Sequence, residues 1–274
     1  MRINHNISAM NTHRQLNYNN ANSAKSMEKL SSGYRINRAA DDAAGLAISE
    51  KMRNQIRGLD MASRNAQDGI SLIQTAEGAL NETHAMLQRM AELTVQAANE
   101  TITASDADKI QAEITQLTNQ IDSVAGQTKF NTKELLSASA GGTALTFQVG
   151  ANQSETISLS LVNATSTGLG INGLTPLDAT NSVAGANLTT IQNAINTVAE
   201  NRSNLGAVQN RLEHTINNLG TTAENLQAAE SRIRDVDMAK EMMNMTKNNI
   251  LTQAAQAMLA QANQQPQGVL QLLR

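Results

Sequence analysis

Residues 188–236 carry an aliphatic side chain at every seventh position: Ile191, Val198, Leu205, Leu212, Leu219, Leu226 and Ile233. Companions three or four residues on are Ile195, Val208, Ile216, Ala223, Ala229 and Val236, with Arg202 as the one polar intrusion. A strict seven-residue repeat keeps one stripe facing a partner only if helices wind around each other in a left-handed supercoil. No proline lies between Pro176 and Pro266, so nothing stops a continuous helix over this window. At about 1.5 Å per residue such a helix would be roughly 70 Å long, far more than a compact domain needs. It requires a long partner.

The partner lies nearer the start. A second helix is predicted from residue 43 to about 99, with a seven-step row of Met52, Leu59, Ala66, Ile73, Leu80 and Leu87, and Ile56, Ile70 and Met90 beside it. The adjacent row is small (Ala62, Gly69, Ala76, Thr83), which would let another helix approach closely. Asp41 or Asp42 is a natural cap for this helix, after a break at Ser31, Ser32 and Gly33. A third helix follows, with Ile110, Ile114, Leu117, Ile121 and Val124 as its apolar row. Ser105 with Asp108 forms its expected capping box, and Gly126 its expected end.

Composition changes between residues 131 and 187, where the only charges are Lys133, Glu134, Glu155 and Asp178. Leu145, Phe147 and Val149 alternate with polar residues, as do Ile157, Leu159 and Leu161, and a turn over 150–154 separates them. That pattern predicts a β-hairpin. The expected fold class is therefore mainly α, with long antiparallel helices packed as a coiled-coil-like rod and a small β-hairpin region. The expected segments are 1–40, 41–130, 131–187, 188–236 and 237–274.

The two ends share a property. Ile3, Ile7, Met10, Ala21, Ala24, Met27 and Leu30 form a loose stripe diluted by many Asn, so residues 1–30 by themselves should hold little helix. Ile250, Leu251, Ala254, Ala255, Met258, Leu259 and Ala262 form another, and Val269, Leu270, Leu272 and Leu273 follow. Both stripes are too narrow to be buried alone, which marks an interaction surface. Each aliphatic side chain fully buried there would contribute on the order of 1.5–3 kcal/mol, so terminal helices that order on assembly are expected.

Several function classes are disfavoured. Aromatics make up 1% of the chain, which argues against a large globular core. A net charge of −3 gives no bulk attraction to nucleic acid or membrane. Lys51, Arg53, Arg57 and Arg64 are interspersed with Glu50, Asp60 and Asp68 and lack aromatic neighbours, as on a solvated face. The absence of cysteine removes disulfides and thiol catalysis and suits a chain that crosses compartments unfolded. The opening MRINHNISAM lacks the apolar core of a signal peptide, and no run approaches a membrane span. Export would need another route. His5, His13, His84 and His214 lie far apart, with no H-E-x-x-H, Walker loop or G-x-S-x-G. No catalytic, metal or cofactor site is expected.

The stretches LSSGYRINRAADDAAGLAIS (30–49), QDGISLIQTAEGALNE (67–82), LQRMAELTVQAANE (87–100), FQVGAN (147–152) and the end QANQQPQGVLQLLR closely resemble bacterial flagellin. The resemblance implies a filament subunit, secreted without a cleaved signal through the flagellar type III channel and polymerising at the growing tip. It also implies terminal helices that line an inner channel and an outer rod of long helices. The runner-up is a hook–filament junction protein, which shares the terminal helices. Further partners implied are an export chaperone at the C-terminal region, where Met238, Met242, Met243 and Met245 cluster, and the hook-associated and cap proteins. By the same resemblance, Arg89, Leu93, Gln96 and Glu113 match a patch read by Toll-like receptor 5 of animal hosts. Leu270, Leu272 and Leu273 match a segment sensed by NAIP receptors.

Overall fold

The computed structural model describes residues 6–99, 101–137, 142, 144–177 and 181–272, the side chains of 181–182 and 266–272 apart. The helices are α1 (Ile7–Ser32), α2 (Ala43–Ala97), α3 (Ala104–Gln127), α4 (Asn181–Arg234) and α5 (Met238–Leu272). Between α3 and α4 lie two antiparallel ladders, β1 (Lys129–Phe130) with β2 (Lys133–Glu134) and β3 (Ala144–Gln148) with β4 (Thr156–Ser160). The chain forms two units. One joins Met1–Gln55 to Glu224–Arg274, and the other is Ile56–Ala223. No helix among the described residues is long and apolar enough to cross a membrane.

The unit Ile56–Ala223 holds the aliphatic core. From α4, Ile191, Val198, Leu205 and Leu212 are buried in one cluster with Ala66, Ile73, Leu80 and Leu87 of α2 and Ile110, Ile114 and Ile121 of α3. Helix α2 offers the expected close approach: Ala62, Gly69, Ala76 and Thr83 are buried. A Cβ added at Gly69 would lie 3.3 Å from both Leu212 and the Phe147 ring. Gly69 thus faces Leu212, and Glu77 reaches Arg202 at 3.8 Å. Numbers rise along α2 as they fall along α4, so the two run antiparallel. Arg202 occupies its seam position by sending its guanidinium outward to that carboxylate, the usual behaviour of a long basic side chain at a seam edge.

Helix α3 starts earlier than the spacing of Ser105 and Asp108 suggests. Thr103 is the N-cap: its hydroxyl accepts from the Asp106 N–H, and it donates to the Asp106 carboxylate at 2.7 Å. The box is therefore Thr103–Asp106, two residues upstream, because Thr103 is the residue with extended backbone (φ −88°, ψ 161°). The Thr103 hydroxyl, then Lys109, hold the Asp106 carboxyl below its ordinary range. At the other end Gly126 stays inside the helix, and Thr128 caps it by donating its N–H to the Val124 carbonyl. Helix α4 begins at Asn181, seven residues before the expected start. Its first turns carry Asn, Ser and Gly, poor helix formers. They are anchored by Asn187, whose side-chain amide pairs with Thr175 on both sides, accepting from its N–H and donating to its carbonyl.

The expected hairpin forms, with Leu145 opposite Leu159 and Phe147 opposite Ile157 and those side chains turned inward. Its tip is closed by Glu155, whose carboxylate accepts from the Asn152 side chain at 2.9 Å and backbone N–H at 3.0 Å. Asn65 of α2 donates to the Gln148 carbonyl, and Asp122 of α3 accepts from the Ser166 N–H and hydroxyl at 2.7 Å each. The Gln148 carbonyl and the Ser166 N–H and hydroxyl thus tie the middle segment to α2 and α3.

In the other unit, α1 stops where Gly33 turns left-handed (φ 75°) and donates to the Lys29 carbonyl. Asp42 caps α2 by accepting from the Gly45 N–H at 2.8 Å. Between α4 and α5, Asp235 pairs with Tyr34 in an isolated antiparallel bridge. Arg35 donates to the Arg234 carbonyl at 2.7 Å, and Val236 to that of Gly33 at 3.0 Å. The Arg234 guanidinium lies 4.7 Å from the Tyr34 ring centroid and 2.8 Å from Glu50, whose carboxyl it holds below its ordinary range. Asp237 then caps α5 through the Lys240 N–H.

Candidate functional site

Helices α1 and α5 are helical and paired with each other within the single chain. They run antiparallel: the Asn6 side chain donates to the Ala262 carbonyl at 2.7 Å, and the Ser23 hydroxyl donates to the Asn249 side chain at 3.0 Å. The more enclosed positions of α1 are Ala9, Thr12, Leu16, Asn19, Ser23, Ser26 and Leu30, and those of α5 include Met245, Asn248, Thr252, Ala255, Leu259 and Ala262. Both sets alternate steps of three and four, the spacing of a heptad seam. Their content is unusual. The buried residues of α1 are Asn19, Ser23 and Ser26, all polar.

Several large apolar side chains point away. Ile7 and Met10 are 66% exposed, Met27 54%, Ile250 60% and Met258 59%. Leu251 is also exposed, while Ala255, Leu259 and Ala262 of the same expected stripe face α1. On α5, Met242, Met243, Thr246, Lys247, Ile250 and Leu251 line a shallow open groove. Of the other expected interface residues, Ile3 and Leu273 lie outside the described residues, as do the side chains of Val269, Leu270 and Leu272. The seam thus mixes Asn19, Ser23 and Ser26 with Leu16, Leu30, Ala255, Leu259 and Ala262, and it leaves several large apolar side chains of the pair uncovered.

The second set of expected residues sits where α2 and α3 pack. The Arg89 guanidinium donates through Nε and an Nη to one Glu113 oxygen at 3.1 and 3.0 Å, and its other Nη donates to Glu92 at 3.2 Å. Glu113, then Glu92, strengthen its hold on its proton. Gln96 is exposed about two turns beyond Arg89. Leu93 is not brought to that surface. It is 2% exposed, within the core, and its neighbour Thr94 is buried with its hydroxyl donating to the Met90 carbonyl.

Residues 3–140 match the family model of the bacterial flagellin N-terminal helical region, and residues 188–273 that of the C-terminal helical region. The chain belongs to the bacterial flagellins. It is 57% identical to flagellin of Bacillus subtilis (strain 168) and 59% identical to flagellin of Halalkalibacterium halodurans, each over the whole of both chains. It is 49% identical to the flagellar filament 33 kDa core protein of Treponema phagedenis, again over both full lengths. The crystal structure of Bacillus cereus flagellin, 34% identical, superposes with a TM-score of 0.51 over 61% of this chain and 94% of that one. A putative flagellar hook-associated protein from Vibrio parahaemolyticus superposes with a TM-score of 0.61 over 71% of this chain and 100% of that one. At 14% identity it shares the fold alone.

Flagellins are structural proteins that polymerise into the flagellar filament, an extracellular appendage that serves motility. In this flagellin, sequence reasoning located most of the outward stripe but missed Tyr18, 62% exposed on α1. The intervening Arg14 broke the apolar row there. It also missed that the seam between the terminal helices includes polar side chains, a signal carried by Thr12, Asn19, Ser23 and Ser26 at heptad spacing.

Proposed function

We propose that the outward apolar faces of α1 and α5 are the surfaces this flagellin buries against neighbouring copies, and that their final ordering is coupled to that burial. One observation carries the reading: the large apolar side chains Ile7, Met10, Tyr18, Met27, Ile250 and Met258 that the α1–α5 pair leaves more than half exposed. Export precedes burial. A chain without disulfides, with ends held by few apolar contacts, suits passage through the flagellar type III channel in an unfolded state. The groove around Met242, Met243 and Ile250 offers a malleable face that an export chaperone would cover beforehand. Hook-associated and cap proteins would meet the same terminal faces at the two ends of a filament. Removing residues 1–40 and 237–274 should leave a soluble helical protein that forms no filaments under electron microscopy. Filaments from the trimmed form would overturn the reading.

Host recognition belongs to the other surface. Arg89, Gln96 and Glu113 present the polar group that Toll-like receptor 5 would read, with Leu93 beneath them fixing the α2 backbone. A receptor-reporter assay on free subunits should lose most of its signal in an Arg89→Ala, Glu113→Ala double variant. Equal signals from variant and parent would reject the assignment. NAIP-type sensing is assigned to Leu270, Leu272 and Leu273 by resemblance.

A further inference from the structure

We infer that the exposed methionines of α1 and α5 are a modification site through which peroxide controls whether a free subunit can join a filament. The inference rests on the assembly reading above. The chain holds 12 methionines, no cysteine and no tryptophan, so thioethers are its most oxidisable groups. They span a range of exposure, with Met52, Met86 and Met245 half-buried and Met61 of α2 exposed. Met90 is fully buried in the aliphatic core, whereas Met10, Met27, Met238, Met242, Met243 and Met258 on the terminal pair are 49–67% exposed. Three of them share the outward faces with Ile7, Ile250 and Leu251, and Met242 and Met243 line the open groove.

The chemistry is simple. A sulfur lone pair attacks one oxygen of hydrogen peroxide, an S–O bond forms and the O–O bond breaks. The departing hydroxide takes up the remaining peroxide proton and leaves as water. Sulfur is oxidised by two electrons and the peroxide is reduced. The product sulfoxide places an acceptor oxygen where a neighbouring copy supplies aliphatic carbon. A buried acceptor without a donor is unfavourable. In the isolated subunit the same oxygen stays in water, so the fold is little affected. Methionine sulfoxide reductases reverse the change, which makes the block a switch.

The test exposes purified full-length subunits to limiting hydrogen peroxide, locates sulfoxide by peptide mass spectrometry and follows elongation of preformed filament seeds. Met10, Met242, Met243 and Met258 should oxidise before Met90. Elongation should slow about tenfold or more, equivalent to ~1.4 kcal/mol. Reductase treatment should restore it. A variant with Met10→Leu, Met27→Leu, Met238→Leu, Met242→Leu, Met243→Leu and Met258→Leu should elongate equally before and after peroxide. Unchanged elongation by parent subunits carrying these sulfoxides would overturn the inference, as would equal slowing of the leucine variant. If the leucine variant fails to elongate even untreated, reversal by reductase on the parent chain decides: recovery supports the inference and persistent loss overturns it. Failure of the assembly reading is seen separately, as filaments from the trimmed chain without any peroxide.

Discussion

Ile250→Asp should abolish seeded elongation while leaving the thermal unfolding of the isolated flagellin almost unchanged. Ile250 is 60% exposed in the single chain and lines the α5 groove. Exposed substitutions away from caps and networks typically shift stability by less than about 0.5 kcal/mol. In an assembled contact the balance reverses. The aliphatic side chain loses its burial, roughly 1.5–3 kcal/mol, and an unpaired carboxylate has to be desolvated, which costs several kcal/mol more. Together these correspond to at least about a thousandfold in the association constant. Light scattering on seeds, beside a melting curve of the same sample, separates the two effects. Normal elongation by the variant would show that Ile250 faces solvent in the filament.

Leu212→Ala should do the opposite, lowering stability steeply without touching an outward face. Leu212 is fully buried, and its δ-methyl packs over Gly69, where the α2 surface is flat. Glycine leaves no side chain to swing into a void, and the Phe147 ring on the other side is held by its cross-strand pairing with Ile157. Collapse around the cavity is therefore restricted, which places the expected loss toward the upper part of the ~2–5 kcal/mol range for such truncations. Urea unfolding followed by circular dichroism would read it. A loss below about 1 kcal/mol would mean that α2 and α4 repack freely at this level.

How much of this was legible beforehand depended on where a residue's environment is set. The heptad row of α4 and the small row of α2 announce their burial because aliphatic side chains at one spacing have one favourable destination in water. The hairpin did so for the same reason, with Leu145, Phe147, Ile157 and Leu159 alternating around a turn. Boundaries were harder. Thr103 and Ser105 are equally good caps on paper, and only the backbone conformation at Thr103 chooses between them. The onset of α4 was hidden because Asn187 and Thr175 stabilise it through a contact twelve residues apart, which local propensity does not register. The terminal helices were the deepest ambiguity. An apolar stripe marks a need for burial without saying against what: Ile7, Met10, Ile250 and Met258 lie outside, whereas Leu16, Leu30 and Leu259 stand in the seam with Asn19, Ser23 and Ser26. Leu93 shows the converse. Its match to a receptor-facing motif says nothing about the side chain's direction, which heptad packing in α2 sets.

The two polar pins between α1 and α5, Asn6 to the Ala262 carbonyl and Ser23 to Asn249, carry a geometric consequence. Slipping one helix past the other by a heptad would break both at once, whereas small side chains alone would tolerate the slide. Every copy is thus held to the same alignment of its outward pattern. A lattice built by repeating one contact many times magnifies any variation in its building block, and the two pins limit that variation once the pair has formed.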